Sequence, residues 1–258
     1  MPIIQTDEVR LHYRTDGERG RPCLVLSNSL GTDLSMWDVQ ADALAADFFV
    51  LRYDTRGHGA SSTGARAFGI ERLGRDVLAL LDHLDIERAA FCGISMGGLT
   101  GQWLGSHAPQ RIVKLVLANT AAKIGSADAW TARADLVRAA GMDAVADGAA
   151  ARWFTPPFIA DAPATVAAMV ATLRAQPAQG YAACCDALSA ADLRGAVGHI
   201  AAPTLVIAGE HDPVTTVADG DWLRARIAGA RLATVPASHI SNVEAAPAFT
   251  RALREFLS

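Results

Sequence analysis

The chain has 258 residues, 51% of them hydrophobic and 19% charged, with Lys+Arg 23 against Asp+Glu 27 and a formal net charge of −4. This length supports one domain, or one domain with an inserted lobe, and the modest charge with a mean hydropathy of +0.19 excludes a disordered chain. The slight acidic excess argues against a nucleic-acid binder, no apolar run approaches the ~20 residues of a membrane-spanning helix, and the stretch from Met1 to Glu8 lacks the basic flank and apolar core of a signal peptide, so a cytoplasmic protein without nucleic-acid or membrane partners is expected.

That N-terminal stretch reads instead as the start of a strand, and Val9 to Arg14 alternates like a half-buried strand. Pro22 to Ser27 and Phe48 to Tyr53 are near-continuous apolar runs. Ile70, Leu73, Val77, Leu80, Leu81 and Leu84 share one helical face. A short strand at Ala89 to Cys92, a helix from about Met96 to His107 and a strand from Ile112 to Ala118 follow. Short apolar runs separated by helices predict crossover units and a mostly parallel sheet buried on both faces. From about Ala122 to Ala196 the chain is Ala-rich, helical in propensity and without strand-like runs. Strand signals return at Thr204 to Ala208 and Leu232 to Val235, with helices near Val217 to Ile227 and Val243 to Leu257. The predicted architecture is α/β: a core of residues 1–121 and 197–258, with a helical cap of residues 122–196 inserted in it. Cys23, Cys92, Cys184 and Cys185 lack C-x-x-C spacing and are expected as reduced core side chains, not as disulfides or zinc ligands.

Gly93-Ile94-Ser95-Met96-Gly97 matches G-x-S-x-G between an apolar strand and a helix. A nucleophile at so sharp a turn occupies strained backbone and needs neighbours that are nearly free of side chain. A serine hydroxyl also needs an adjacent base. Of the seven histidines, His239 follows the strand Leu232 to Val235 across a short loop, at the carboxyl edge of the sheet where open α/β folds assemble their sites. His58, in the loop Asp54 to Gly59, is its main rival. Asp212, after Leu205 to Ala208, is the candidate to orient the imidazole, with Glu210 and Asp54 as alternatives. The backbone N–H groups of Met96 and Leu30 are the candidate oxyanion donors. Gly57-His58-Gly59 lacks the third glycine of a dinucleotide loop, no P-loop motif occurs, and nothing beside His211-Asp212 suggests a metal, so no cofactor is expected.

Together these features resemble the α/β-hydrolase family over essentially the whole chain. More narrowly, Ser27 to Asp33 with Met36-Trp37, Tyr53 to Ser61, Gly93 to Gln102, Asn119 to Gly125 and His239-Ile240-Ser241-Asn242 with Glu244 resemble the 3-oxoadipate enol-lactonases of aromatic catabolism. Pro247 lies one position later than the family's usual spacing, which bears on the start of the last helix. The resemblance implies cofactor-free hydrolysis of a small lactone that carries a carboxylate, through a Ser95-His239-Asp212 triad and an acyl-enzyme. It implies a cation near the pocket, for which Arg133 and Lys123 are candidates, and an aromatic wall from Trp37, Trp130 and Trp153. Other readings within the fold are a broader carboxylesterase, a cofactor-free haloperoxidase or perhydrolase, and a carbon–carbon bond hydrolase. Outside catalysis stands a ligand-sensing module on the same scaffold.

Overall fold

The computed structural model describes residues 2–6 and 8–258; Met1 and Asp7, part of the N-terminal stretch read above, lie outside the described residues. Among the described residues eight strands form one sheet: β1 (Ile3–Gln5), β2 (Arg10–Asp16), β3 (Cys23–Ser27), β4 (Phe49–Tyr53), β5 (Ala89–Ile94), β6 (Ile112–Ala118), β7 (Thr204–Gly209) and β8 (Arg231–Val235). Their order is β1-β2-β4-β3-β5-β6-β7-β8. The β1–β2 and β2–β4 pairs are antiparallel, and every pair from β4 to β8 is parallel. Strands β3, β4, β5 and β7 are buried along their whole length. Side chains alternate between the faces of a strand, so complete burial requires cover on both sides. The one charge in those runs, Arg52 of β4, pairs with Asp16 at 2.8 Å and with Asp38.

The helices α1 (Asp38–Leu44), α2 (Ile70–His83) and α3 (Met96–His107) belong to the first half of the sheet. Between β6 and β7 the chain makes six helices: α4 (Ala127–Ala140), α5 (Asp143–Ala146), α6 (Ala149–Trp153), α7 (Pro156–Asp161), α8 (Pro163–Arg174) and α9 (Ala178–Ala190). After β7 come α10 (Val217–Arg226), α11 (Ser241–Glu244) and α12 (Ala246–Leu257). The single closing helix expected from Val243 is thus two pieces, interrupted at Ala245 with φ −113° and ψ 43°. Pro247 has no N–H to donate to Val243 O, and its ring would clash with that carbonyl, so the ladder of α11 cannot run on through it; Pro247 instead sits in the first turn of α12, where no N–H is needed. All four cysteines are free and buried. No helix among the described residues is long and apolar enough to cross a membrane.

This topology brings the carboxyl ends of β3, β5, β7 and β8 to the same edge of the sheet. The loop after each carries one part of the candidate site: Leu30 after β3, Ser95 after β5, Asp212 after β7 and His239 after β8.

Candidate active site

Ser95 joins β5 to α3 with φ 58° and ψ −113°, a conformation that costs roughly 1–3 kcal/mol and persists only where the surroundings enforce it. A Cβ on Gly93 would lie 2.1 Å from Gly97 O, and one on Gly97 would lie 2.4 Å from Ser27 O. The two flanking glycines are therefore required by contact with backbone that has no room to move. Ser95 N–H donates to Ala118 O at 3.0 Å, and Thr120 Oγ1 donates to Ser95 O at 2.8 Å, which pins the turn to the end of β6.

Asp212 Oδ2 lies 2.8 Å from His239 Nδ1. The same oxygen accepts from Asn119 Nδ2 at 3.0 Å and Thr215 Oγ1 at 2.8 Å, while Oδ1 accepts from Val214 N at 2.7 Å and Thr215 N at 3.1 Å. Burial alone would push this carboxyl up, but the bond and charge of His239, with the donors Asn119 and Val214, hold it below its ordinary range. An ionised Asp212 can only accept, so His239 carries its proton on Nδ1 and leaves Nε2 bare towards the cavity that it shares with Ser95. No hydrogen bond joins Ser95 and His239 in this structure; such contacts commonly tighten only when substrate is bound. The rival assignments find other work. Asp54 braces the loop around it, taking Leu34 N–H at 2.9 Å, Ala60 N–H at 2.9 Å and His12 Nδ1 at 2.7 Å. Glu210 accepts from Thr234 Oγ1 at 3.0 Å.

Two residues outside the sequence reading of the site hold its parts in register. Asn119, at φ 42°, binds Asp212 and also donates to Ser238 O at 3.1 Å, beside His239. Its signal was available: a polar residue at the carboxyl end of a parallel strand. Glu244 accepts Ser238 N–H at 2.7 Å on one oxygen and takes the N–H of Thr155 at 3.1 Å, and its hydroxyl, on the other. This carboxylate ties the His239 loop to the segment between α6 and α7.

The Leu30 and Met96 N–H groups donate to no acceptor among the described residues. Met96 is the first residue of α3, where a helix leaves its N–H groups free and adds the positive end of its dipole. Leu30, Ser95 and His239 border a cavity of about 200 Å³. Trp130, Arg133 and Trp153 border it too. Trp37 does not: it is fully buried, donating Nε1–H to Asn28 Oδ1 at 3.0 Å and packing on Phe249 with ring centroids 6.0 Å apart. It lies within the short turn Leu34–Trp37, whose buried Met36 takes Thr32 Oγ1–H at 2.9 Å, so that this turn is bonded to both ends of the segment from Asn28 to Thr32. Lys123 is also elsewhere, half-exposed and 3.7 Å from Asp192.

Arg152 and Tyr181 line the cavity too, and no motif distinguished them within the Ala-rich stretch. Arg133 stacks over Trp130 at 5.0 Å from the ring centroid. Arg152 donates to Val145 O at 2.7 Å. Neither guanidinium has a carboxylate within ion-pair distance among the described residues. Burial, and then the positive charge of Arg133, hold the Arg152 guanidinium below its usual basicity. Two neighbouring cations without a carboxylate partner among the described residues thus border the cavity.

The nucleophile-type turn, the aspartate-bound histidine and the doubly covered parallel sheet define a hydrolase of the α/β class. The chain belongs to the alpha/beta hydrolase fold family, whose model matches residues 22–246. Within it, the chain is 54% identical to 3-oxoadipate enol-lactonase 2 of Acinetobacter baylyi, over 97% of this chain and 94% of that protein. It is 42% identical to 3-oxoadipate enol-lactonase 1 of the same organism, over 96% and 92%. The crystal structure of the enol-lactonase from Burkholderia xenovorans LB400 superposes with a TM-score of 0.97 at 49% identity, covering 99% of each chain. The narrower resemblance read from the sequence is borne out.

Proposed function

We propose that this protein hydrolyses 3-oxoadipate enol-lactone to 3-oxoadipate, with Ser95 as nucleophile, His239 as general base and Asp212 as its orienting acid. The observation that carries the reading is the cavity that Ser95 and His239 share with two guanidinium groups that have no carboxylate partner among the described residues. A volume of about 200 Å³ is little more than the roughly 150 Å³ that holds a benzene, and so suits a compact lactone with a short acid arm.

In the reaction, Ser95 Oγ attacks the lactone carbonyl as His239 Nε2 takes its proton. The negative charge that develops on the carbonyl oxygen falls to the N–H groups of Leu30 and Met96, each contributing about 2.7–4 kcal/mol of transition-state stabilisation. Collapse breaks the ring C–O bond. The leaving enolate is less basic than an alkoxide, takes the proton from His239 and becomes a ketone. Water then gives a proton to His239 and attacks the acyl-enzyme; Ser95 leaves and recovers that proton, and the new carboxyl group loses its own proton to solvent and is released as a carboxylate. Arg133 and Arg152 hold the carboxylate that the substrate already carries, against the wall formed by Trp130 and Trp153. The six helices between β6 and β7 act as the cap, since they supply both cations and both tryptophans.

Purified protein should turn over the enol-lactone with kcat/KM in the ~10⁴–10⁸ M⁻¹s⁻¹ range of natural substrates and prefer it to p-nitrophenyl esters. Ser95→Ala should lower kcat by about 10⁴-fold or more. Cleavage of the esters without the lactone would keep the triad and discard the substrate; full activity of Ser95→Ala would discard the triad.

A further inference from the structure

The histidine that competes with His239 in the sequence, His58, does no proton transfer at Ser95, yet it is completely buried beside the Leu30 loop. Its Nε2 accepts the Gly31 N–H at 3.0 Å. Its Nδ1 faces Arg56 O at 3.4 Å and Cys184 Sγ at 3.9 Å, and Tyr181 covers the ring with centroids 6.2 Å apart. On the other side of Leu30, Ser29 O accepts from Thr32 N at 3.3 Å and Thr32 Oγ1 at 2.8 Å. A trans peptide is planar and holds its C=O and N–H antiparallel. Pinning Ser29 O to Thr32 therefore turns the Leu30 N–H the opposite way, and pinning Gly31 N–H to His58 fixes the next peptide plane. Leu30 is clamped between two planes that cannot rotate.

We infer that His58 is a positioning residue for the oxyanion hole: as a neutral imidazole protonated on Nδ1, it fixes the Leu30–Gly31 peptide so that the Leu30 N–H stays aimed at the developing oxyanion. This rests on the assignment of Leu30 as an oxyanion donor made above. Several features keep the ring in that state. An Nε2 that accepts an N–H carries no proton, so the single ring proton sits on Nδ1, where Arg56 O receives it. Burial pulls the imidazole down to about 4, against the pull of the Arg56 carbonyl and of the charges of Asp54 and Asp33. Protonation of Nε2 would place a donor against the Gly31 donor and release the loop.

The test uses His58→Leu, which fills the space without an acceptor, and His58→Gln, whose Oε1 reaches the place of Nε2. With the enol-lactone, His58→Leu should lose about 10- to 100-fold in kcat while KM changes less than three-fold. Affinity for a short alkylboronic acid, which forms a tetrahedral adduct on Ser95 with an oxygen in the oxyanion hole, should weaken by a similar factor. His58→Gln should recover both to within about five-fold of the wild type. Equal boronate affinity in wild type and His58→Leu, or no recovery with glutamine, overturns the inference while leaving the oxyanion hole in place. Boronate affinity that is the same for wild type and Ser95→Ala would mean that no adduct forms on Ser95, which overturns the nucleophile assignment and the inference with it. Ring-¹⁵N NMR of the wild-type protein provides a check independent of variant folding: the Nδ1–H tautomer of His58 is expected between pH 6 and 8, and an Nε2–H tautomer overturns the inference.

Discussion

Asn119 Nδ2 stands 3.0 Å from Asp212 Oδ2, and the same side chain accepts Ser241 Oγ–H at 2.5 Å. One asparagine at the end of β6 thus links the loop after β7 to the start of α11 and fixes the aspartate against the histidine. Its φ of 42° costs little because asparagine tolerates the left-handed region better than most residues.

Asn119→Ala should therefore weaken catalysis and shift acid stability. Removing a buried partner costs about 1–3 kcal/mol, so kcat should fall roughly 5- to 150-fold with KM little changed. Asp212 lies below its ordinary range in the folded protein, so its contribution to stability is complete above the unfolded carboxyl value of about 3.9 and is lost as pH falls through the lower, folded value. Without Asn119 the folded value rises towards the unfolded one and that contribution shrinks. Acid denaturation followed by circular dichroism should begin at higher pH in Asn119→Ala; an unmoved acid transition would contradict the role.

Gly93→Ala places a Cβ 2.1 Å from Gly97 O, in backbone held by α3. A loss of about 3 kcal/mol is expected, which for a domain of this size lowers Tm by roughly 6–12 °C. Thermal melting measures it directly.

Arg133→Met and Arg152→Met should separate anionic from neutral substrates. A charge-assisted hydrogen bond contributes about 1.5–3 kcal/mol, so kcat/KM for the enol-lactone should drop roughly 10- to 150-fold in each. The ratio of lactone to p-nitrophenyl acetate activity should fall by nearly the same factor. Equal losses on both substrates would mean that the arginines support the cap and not the carboxylate.

Trp37→Phe tests the reassignment of that tryptophan from pocket wall to support. It leaves Asn28 Oδ1 without its donor inside the core, so stability should fall by about 1–3 kcal/mol while KM for the lactone stays within two-fold. A raised KM with unchanged Tm would return Trp37 to the pocket.

Most of the sheet could be read from the chain because buried parallel strands must be short and almost wholly apolar, and six of the eight observed strands coincide with such runs or lie within two residues of them. The turn at Ser95 was equally legible: the contacts that exclude a Cβ at Gly93 and Gly97 leave glycine as the only choice, and that choice is visible. The break at Ala245 was hidden in an apolar periodicity that continues across it, with Pro247 as its only sign. Trp37, Trp130 and Trp153 carry the same side chain in similar surroundings, so composition could not tell a core tryptophan from one facing a cavity.

The sequence by itself determined the strand and helix order, the strained serine turn and the residue types of the candidate triad, because each depends on local sterics or on periodicity along the chain. Only the tertiary structure brought His239 to the cavity that Ser95 borders and set His58 against the Gly31 N–H, and only it showed that Arg152 joins Arg133 at the cavity and that Asn119 and Glu244 couple distant loops. Those assignments depend on directions and distances between segments far apart in sequence. Hydrogen bonds and ion pairs act over about 3–4 Å in space and leave no periodic trace in the chain that forms them.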